Sequence, residues 1–134
     1  MSGMLPPADR TLKDILVLAR QAAAQQKHHY LGTEHLFVAL AADPVCYAHV
    51  YIQQQGINPV EAIGHVQRMI EPGDGKVLWE GHPHTPRFDV VLNIAHDIAL
   101  EDGRENLVNE KDLWEALLEE EENLPVHILK RMGM

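Results

Sequence analysis

The sequence is poor in the residue types that carry disulfide, thiolate-metal and nucleophile chemistry. Cys46 is its one cysteine and Ser2 is its one serine, so an intramolecular disulfide and a cysteine-based metal cluster are both excluded. Neither a G-x-S-x-G segment nor an H-E-x-x-H segment occurs, and each is the marker of a common hydrolase site. We therefore expect a chain that acts by binding rather than by catalysis, with no cofactor.

Aromatic residues and positive charge are also scarce. Aromatics make up 5% of the 134 residues, whereas hydrophobic residues as a whole make up 46%. A core built mainly from Leu, Ala, Val and Ile suits helices better than a β-sandwich. The 20 acidic residues outnumber the 11 Lys and Arg and give a formal charge of −9, which disfavours nucleic acid as a partner.

Long apolar runs are missing too. The longest unbroken apolar stretch falls far short of the ~20 residues that span a bilayer, and the start of the chain lacks the basic-then-apolar pattern of a signal peptide. We expect one all-α domain over residues 1–134, located in the cytoplasm and not at a membrane. The length agrees with a single hydrophobic core, since domains commonly contain roughly 100–150 residues.

An internal repeat organises the chain. Apolar residues at helical spacing in the first half recur 76 positions later in the second half. The matched pairs are Leu12 and Phe88, Ile15 and Val91, Leu16 and Leu92, Ala19 and Ala95, Ala22 and Ile98, and Ala23 and Ala99. After a one-residue adjustment the match continues at an offset of 77, through residues 36–40 and 113–117 to Gly56 and Gly133. The sequence therefore predicts a tandem, pseudo-two-fold repeat of a four-helix unit, with seven to eight helices.

Helix-start signals set the boundaries of the repeat. We place repeat one at about 9–71, a linker at about 72–84 and repeat two at about 85–134. Ser, Thr, Asp and Asn are the favoured N-cap residues. The predicted N-caps are Asp9, Thr33, Asn58, Thr85 and Asn109. In the linker, we predict that Val77, Leu78 and Trp79 dock onto a groove.

The stretch before and within the second predicted helix carries a motif. It reads His28-His29-Tyr30-Leu31-Gly32-Thr33-Glu34-His35-Leu36-Phe37-Val38-Ala39-Leu40 and resembles the Clp repeat in the N-terminal domain of Clp/Hsp100 AAA+ unfoldases of the ClpA and ClpC type. Thr85-Pro86-Arg87 is similar to that family's opening of its second repeat. The resemblance covers about residues 9–134. It implies a domain that binds adaptors or substrate proteins for unfolding and degradation by an AAA+ ring.

The resemblance also implies where a partner binds. In ClpC-type domains the motif glutamate of each repeat holds the guanidinium of a phosphorylated arginine, and Glu34 keeps that carboxylate. In the ClpA branch a histidine and the motif glutamate, matching His28 and Glu34, lie on the face that docks the adaptor. Lys111 stands at the second motif position, where its ammonium would repel a guanidinium. The residues that we assign to partner binding are His28, His29, Thr33 and Glu34, with Glu110 and Lys111 as the diverged counterpart.

Other interpretations stay open at this point. The sequence ends before a counterpart of the helix that starts at Pro59, which agrees with a stand-alone regulatory or structural Clp-repeat interaction protein without an AAA+ module. Nine histidines raise the alternative of a metal enzyme, but no two of them have the i, i+4 spacing of a helical site, so we assign no metal. Thr33 and His35 also suit purely structural roles, the first as a helix cap and the second as a packed or capping residue.

Overall fold

Seven α-helices make up the computed structural model, which describes residues 10–73, 83–104 and 107–134. They are α1 (Leu12–Gln25), α2 (Thr33–Ala41), α3 (Tyr47–Gln54), α4 (Pro59–Arg68), α5 (Pro86–Glu101), α6 (Glu110–Glu119) and α7 (Leu124–Arg131). The all-α prediction is confirmed, since the only β structure in these ranges consists of two isolated β-bridges. Within them, no helix is both long enough and apolar enough to cross a bilayer. The predicted docking of Val77, Leu78 and Trp79 lies outside the described residues.

Three of the five predicted N-caps are confirmed. The side-chain oxygens of Asn58, Thr85 and Asn109 each accept a hydrogen bond from a backbone N–H in the first turn of the following helix. Thr85 and Asn58 are each followed by a proline at the first helical position, where a missing N–H costs nothing. These caps fix the starts of α4, α5 and α6.

Two predicted N-caps are wrong. Thr11, not Asp9, caps α1, because its hydroxyl accepts from the Asp14 N–H while the Asp14 carboxylate accepts from the Thr11 N–H. Gly32, not Thr33, caps α2, so Thr33 is the first helical residue. In both cases the side chain three residues after the true cap completes the start of the helix.

Helix α2 lies at the centre of the core. It contacts each of the other six helices, and seven of its nine residues are buried. Phe37 from α2 packs against Trp114 from α6 with 6.3 Å between ring centroids, and Tyr51 from α3 meets the same indole edge-on. The predicted apolar stripes of α1 and α5 are buried as well. Their buried members are Ile15, Ala19, Ala22 and Ala23 in α1 and Phe88, Val91, Ala95 and Ala99 in α5.

The residue before the cap of α2 pairs with the segment that leads into α5. The Leu31 N–H donates to the Pro83 carbonyl, and the Leu31 carbonyl accepts from the Thr85 N–H, both at 2.9 Å. These bonds form one of the two β-bridges, between Leu31 and His84. The start of α2 in the first half is therefore held by the end of the predicted linker and the first residue of the second half.

A second pairing, between the segment before α1 and the segment before α6, holds the start of α6. The Leu12 N–H donates to the Val108 carbonyl at 3.0 Å, and the Glu110 N–H donates to the Arg10 carbonyl at 2.9 Å. These bonds form the second β-bridge, between Thr11 and Asn109. Each half thus supplies a short extended segment that fixes a helix start in the other half.

Helices α1 and α5 end in the same left-handed turn. Lys27 has φ +59° and Gly103 has φ +75°, and the two residues are 76 positions apart. After each of them, the next backbone N–H donates back to the helix, to the carbonyl of Ala23 in α1 and of Ala99 in α5, both at 2.9 Å. This is a usual helix ending with glycine at the left-handed position, and the first half has lysine there.

Replacing that lysine should stabilise the protein. A non-glycine residue at positive φ costs about 1–2 kcal/mol, and the Lys27 side chain is exposed. We expect Lys27→Gly to raise the free energy of unfolding by about 0.5–1 kcal/mol, because glycine also gains freedom in the unfolded chain. Urea denaturation measures the change. The reverse replacement, Gly103→Lys, should lower the free energy of unfolding, and a loss of stability in Lys27→Gly would contradict this account.

Candidate partner-binding site

Glu34 lies in the first turn of α2, and its carboxylate folds back over the helix cap. A Cβ atom placed on Gly32 would lie 2.6 Å and 2.7 Å from the two carboxylate oxygens. Burial, together with the nearby Glu34 carboxylate, raises the pKa of Tyr30 to about 12. The carboxylate thus lies against Gly32 at the positive end of the α2 dipole.

Two buried histidines join this helix start to the residues that follow α4. The His28 Nδ1 and the His35 Nε2 are 2.8 Å apart. The Gly32 N–H donates to the His35 Nδ1 at 3.0 Å, so the His35 side chain completes the capping of α2 at Gly32. The His28 Nε2 lies 2.7 Å from the Glu71 carbonyl oxygen. The structural interpretation of His35 as a packed, capping residue is confirmed.

The four predicted residues of the first half meet at the start of α2 but differ in accessibility. His28 and Thr33 are each 4% exposed, so their side chains contact the protein interior. His29 is half-buried, and its Nε2 is buried with no hydrogen-bond partner among the described residues. The Glu34 side chain is 16% exposed. Partner binding here remains a prediction, and the accessible atoms for it belong to Glu34 and His29.

The predicted counterpart in the second half is an internal contact. Glu110 is 1% exposed, and its carboxylate accepts from the Arg10 N–H at 3.2 Å and the Tyr47 N–H at 2.9 Å. Burial, together with the nearby Glu110 carboxylate, raises the pKa of Cys46 to about 12. Glu110 therefore links the starts of α1, α3 and α6, which leaves its carboxylate no free surface for a partner.

Lys111 occupies the position in α6 that Glu34 occupies in α2, the second helical residue. Its side chain is 46% exposed, and its ammonium lies 3.7 Å from the Glu115 carboxylate and 5.5 Å from the centre of the Tyr47 ring. The second residues of these two helices thus carry side chains of opposite charge.

Sequence reasoning missed a second pair, between Arg104 and Asp112. The guanidinium donates to both carboxylate oxygens of Asp112 at 2.6 Å, and Asp112 in turn accepts from the Asn109 N–H at 3.0 Å. These bonds raise the pKa of Arg104 above its usual value. Both this pair and the His28–His35 pair join a loop residue to the third residue of the next helix, so a search at i, i+4 spacing overlooks them. The signal available in the sequence was the offset of the internal repeat, which aligns His28 with Arg104 and His35 with Asp112.

A groove of about 710 Å³ lies between the start of α1 and the loop before α6. It combines apolar and cationic side chains, although the chain as a whole has a charge of −9. Its apolar side chains include Leu12, Leu16 and Leu107, and its cationic ones are Arg10, Lys13, Arg20 and Arg104. Leu107 is 72% exposed. Elsewhere in the described ranges, no group of three or more His, Cys, Asp or Glu side chains is arranged to hold a metal ion.

Residues 8–132 match the family described as the Clp repeat (R) N-terminal domain. The chain belongs to this family. Among the relatives of this Clp repeat domain, the chaperone protein ClpC, chloroplastic, of Pisum sativum is 29% identical over 119 residues. The chaperone protein ClpC1, chloroplastic, of Arabidopsis thaliana is 30% identical over 119 residues. Each alignment covers 89% of this chain and 13% of the relative, so the chain spans about an eighth of the length of these curated relatives.

Solved structures show the same fold. The Hsp104 N-terminal domain from Candida albicans superposes with a TM-score of 0.71 at 20% identity, covering 96% of this chain and 83% of that one. A structure titled as part of a malarial protein secretion system superposes with a TM-score of 0.66 at 16% identity, covering 90% of this chain and 80% of that one. The resemblance read from the motif and the Clp N-terminal fold are both confirmed.

The internal role of Glu110 predicts a large loss of stability on its removal. Glu110→Ala leaves the backbone N–H groups of Arg10 and Tyr47 without their acceptor, and each such loss costs about 1–3 kcal/mol. We expect the free energy of unfolding to fall by about 2–4 kcal/mol in urea denaturation. Glu115→Ala, at a half-exposed position of the same helix, is the matched control and should change it by less than about 1 kcal/mol. Equal effects of the two variants would contradict the internal role.

Proposed function

We propose that this Clp repeat domain recognises an adaptor or substrate protein and delivers it to an AAA+ unfoldase ring in the cytoplasm, by binding and without chemistry of its own. The supporting observation is the Glu34 carboxylate, which lies against Gly32 at the start of α2 on a side chain that is 16% exposed. Family membership supports the connection to a ring, because one relative is an ATP-dependent Clp protease ATP-binding subunit. This chain covers 13% of that relative.

The chemistry of Glu34 indicates what it would bind. Among the described residues no Lys or Arg forms an ion pair with its carboxylate, and its nearest cationic candidate is the His35 Nδ1 at 3.9 Å. A guanidinium matches a carboxylate with two parallel hydrogen bonds. The proposed ligand group is therefore an arginine or phosphoarginine side chain of the partner.

The residues of the second half favour one such site per domain rather than two. Lys111 places an ammonium where the first half has the Glu34 carboxylate, and the neighbouring Glu110 carboxylate is buried. The groove beside Leu107 supplies a different surface, whose apolar and cationic side chains suit an extended substrate segment with apolar and acidic residues. An adaptor contact at α2 and a substrate contact in the groove are therefore compatible.

The test compares Glu34→Gln with Glu101→Gln, a glutamate that is exposed at the end of α5. Immobilised wild type and both variants are incubated with native lysate, and the retained proteins are quantified by mass spectrometry. Free phosphoarginine is titrated into the same three proteins by calorimetry. We expect Glu34→Gln to lower retention of the main partner several-fold while its urea midpoint stays close to that of the wild type.

Two results would count against the proposal. The first is that Glu34→Gln retains the same proteins in the same amounts as the wild type, and the second is that Glu101→Gln loses them to the same extent as Glu34→Gln. If the wild type binds free phosphoarginine and Glu34→Gln does not, the guanidinium ligand is identified as phosphorylated. If the wild type retains the partner but does not bind free phosphoarginine, the group that Glu34 binds is an unmodified arginine or another group of the adaptor.

A further inference from the structure

A cavity of about 430 Å³ lies beside α5 and α6, and we call it the α5–α6 cavity. The first half has a cavity at the matching place beside α1 and α2, but the volume of this α1–α2 cavity is only about 10 Å³. Six residues that line the first cavity align with six that line the second, at the repeat offset of 76 or 77 positions. The pairs are Ala22 and Ile98, Gln26 and Asp102, His28 and Arg104, Glu34 and Lys111, His35 and Asp112, and Val38 and Glu115.

Helix α4 closes the α1–α2 cavity. The other three residues that line it are Val66 and Gln67 of α4 and Ile70, which follows the helix. Val66 is fully buried, and α4 packs against α2. The described residues that line the α5–α6 cavity all come from α5, α6 and the loop between them. The second cavity therefore matches the place of α4, and no helix of the described ranges closes it.

The two cavities differ in charge at matching positions. Asp102 takes the place of Gln26, and its carboxylate replaces an uncharged amide. Glu115 likewise takes the place of Val38. In all, four carboxylates and two cationic groups line the α5–α6 cavity, an excess of two negative charges. They are Glu101, Asp102, Asp112 and Glu115, and Arg104 and Lys111. Glu101 has no counterpart among the residues that line the α1–α2 cavity.

Two of the carboxylates at matched positions are accessible. Asp112 is 1% exposed, and both of its oxygens accept from Arg104. In contrast, the side chain of Asp102 is 69% exposed and that of Glu115 is 41% exposed. Asp102 and Glu115 are therefore the carboxylates that a group placed like α4 would meet.

These exposed charges favour an occupant that binds reversibly. A permanently packed helix would take the carboxylates out of water, and the ion pairs formed in exchange commonly fail to repay that cost. Interfaces between proteins that associate reversibly are about as polar as the rest of the surface. The half-buried Ile98 supplies an apolar contact beside the charges. The cavity thus suits a helix of another protein.

We propose that the α5–α6 cavity binds one helix of a partner protein, in the place that α4 takes in the first half, and selects a helix that presents Lys or Arg to Asp102 and Glu115. The spacing of Val66, Gln67 and Ile70 defines the pattern. An apolar residue at the first position would meet Ile98, and basic residues one and four positions later would meet the carboxylates, with their aliphatic stems covering apolar surface. This inference does not depend on the Glu34 site.

The probes are three synthetic peptides that copy residues 58–70. A hydrocarbon staple joins positions 61 and 65, both of which are exposed in α4, because an isolated helix of this length is marginal in water. One peptide keeps Gln67 and Ile70, the second carries Gln67→Lys/Ile70→Lys and the third carries Gln67→Glu/Ile70→Glu. Each is labelled with a fluorophore, and its anisotropy is titrated with the full 134-residue chain.

We expect the lysine peptide to bind at least about 10-fold more tightly than the glutamate peptide, with the unchanged peptide between them. The amide shifts that it causes in ¹H–¹⁵N spectra should lie in α5 and α6. Asp102→Asn/Glu115→Gln should weaken its binding at least about 5-fold. The control, Glu61→Gln/Glu121→Gln, removes the same charge at two exposed positions outside the cavity and should change binding less than about 2-fold.

Several results would overturn the proposal. One is equal binding of the lysine and glutamate peptides, and another is tightest binding of the unchanged peptide. Equal weakening by the two double variants would assign the binding to the −9 charge of the whole chain. Amide shifts centred on the groove beside Leu107 would place the peptide elsewhere. Dimerisation of the chain through α5 and α6 in sedimentation without peptide would assign the cavity to a second copy. If the cavity variant does not fold, the three peptides on the wild type decide the question.

Discussion

The exchange of backbone hydrogen bonds between the two halves is the constraint on which the rest of the structure depends. Leu31 bonds to the segment before α5, and Val108 and Glu110 bond to the segment before α1. A buried backbone group without a partner costs about 1–3 kcal/mol, so neither half can keep its helix start in place alone. Glu34 on α2 and Lys111 on α6 are therefore positioned by the half to which they do not belong.

On this shared scaffold the two halves have acquired different chemistry. The first places a carboxylate at the second residue of α2 and ties the loop down with two buried histidines. The second places an ammonium at the same position of α6 and ties its loop down with an ion pair. The proposed carboxylate site is therefore confined to the start of α2 in the first half.

The periodicity of the sequence predicted the buried helix faces, because apolar spacing alone determines which side of α1 or α5 faces the core. Ile15 and Val91 illustrate this, since both are fully buried. The burial of Glu110 could not be predicted, because its acceptor role depends on N–H groups that lie 63 and 100 residues away in the chain. The His28–His35 contact was missed for a related reason, since it crosses a turn whose shape is set by the left-handed Lys27.

Native-state hydrogen exchange tests most directly whether the two halves lock each other. The informative amides are the four donors of the crossed pairings, those of Leu12, Leu31, Thr85 and Glu110. If each pairing requires the other, all four exchange with one opening free energy, equal to the free energy of global unfolding from urea denaturation. The account is contradicted if the Leu31 and Thr85 amides open at a clearly lower free energy than those of Leu12 and Glu110.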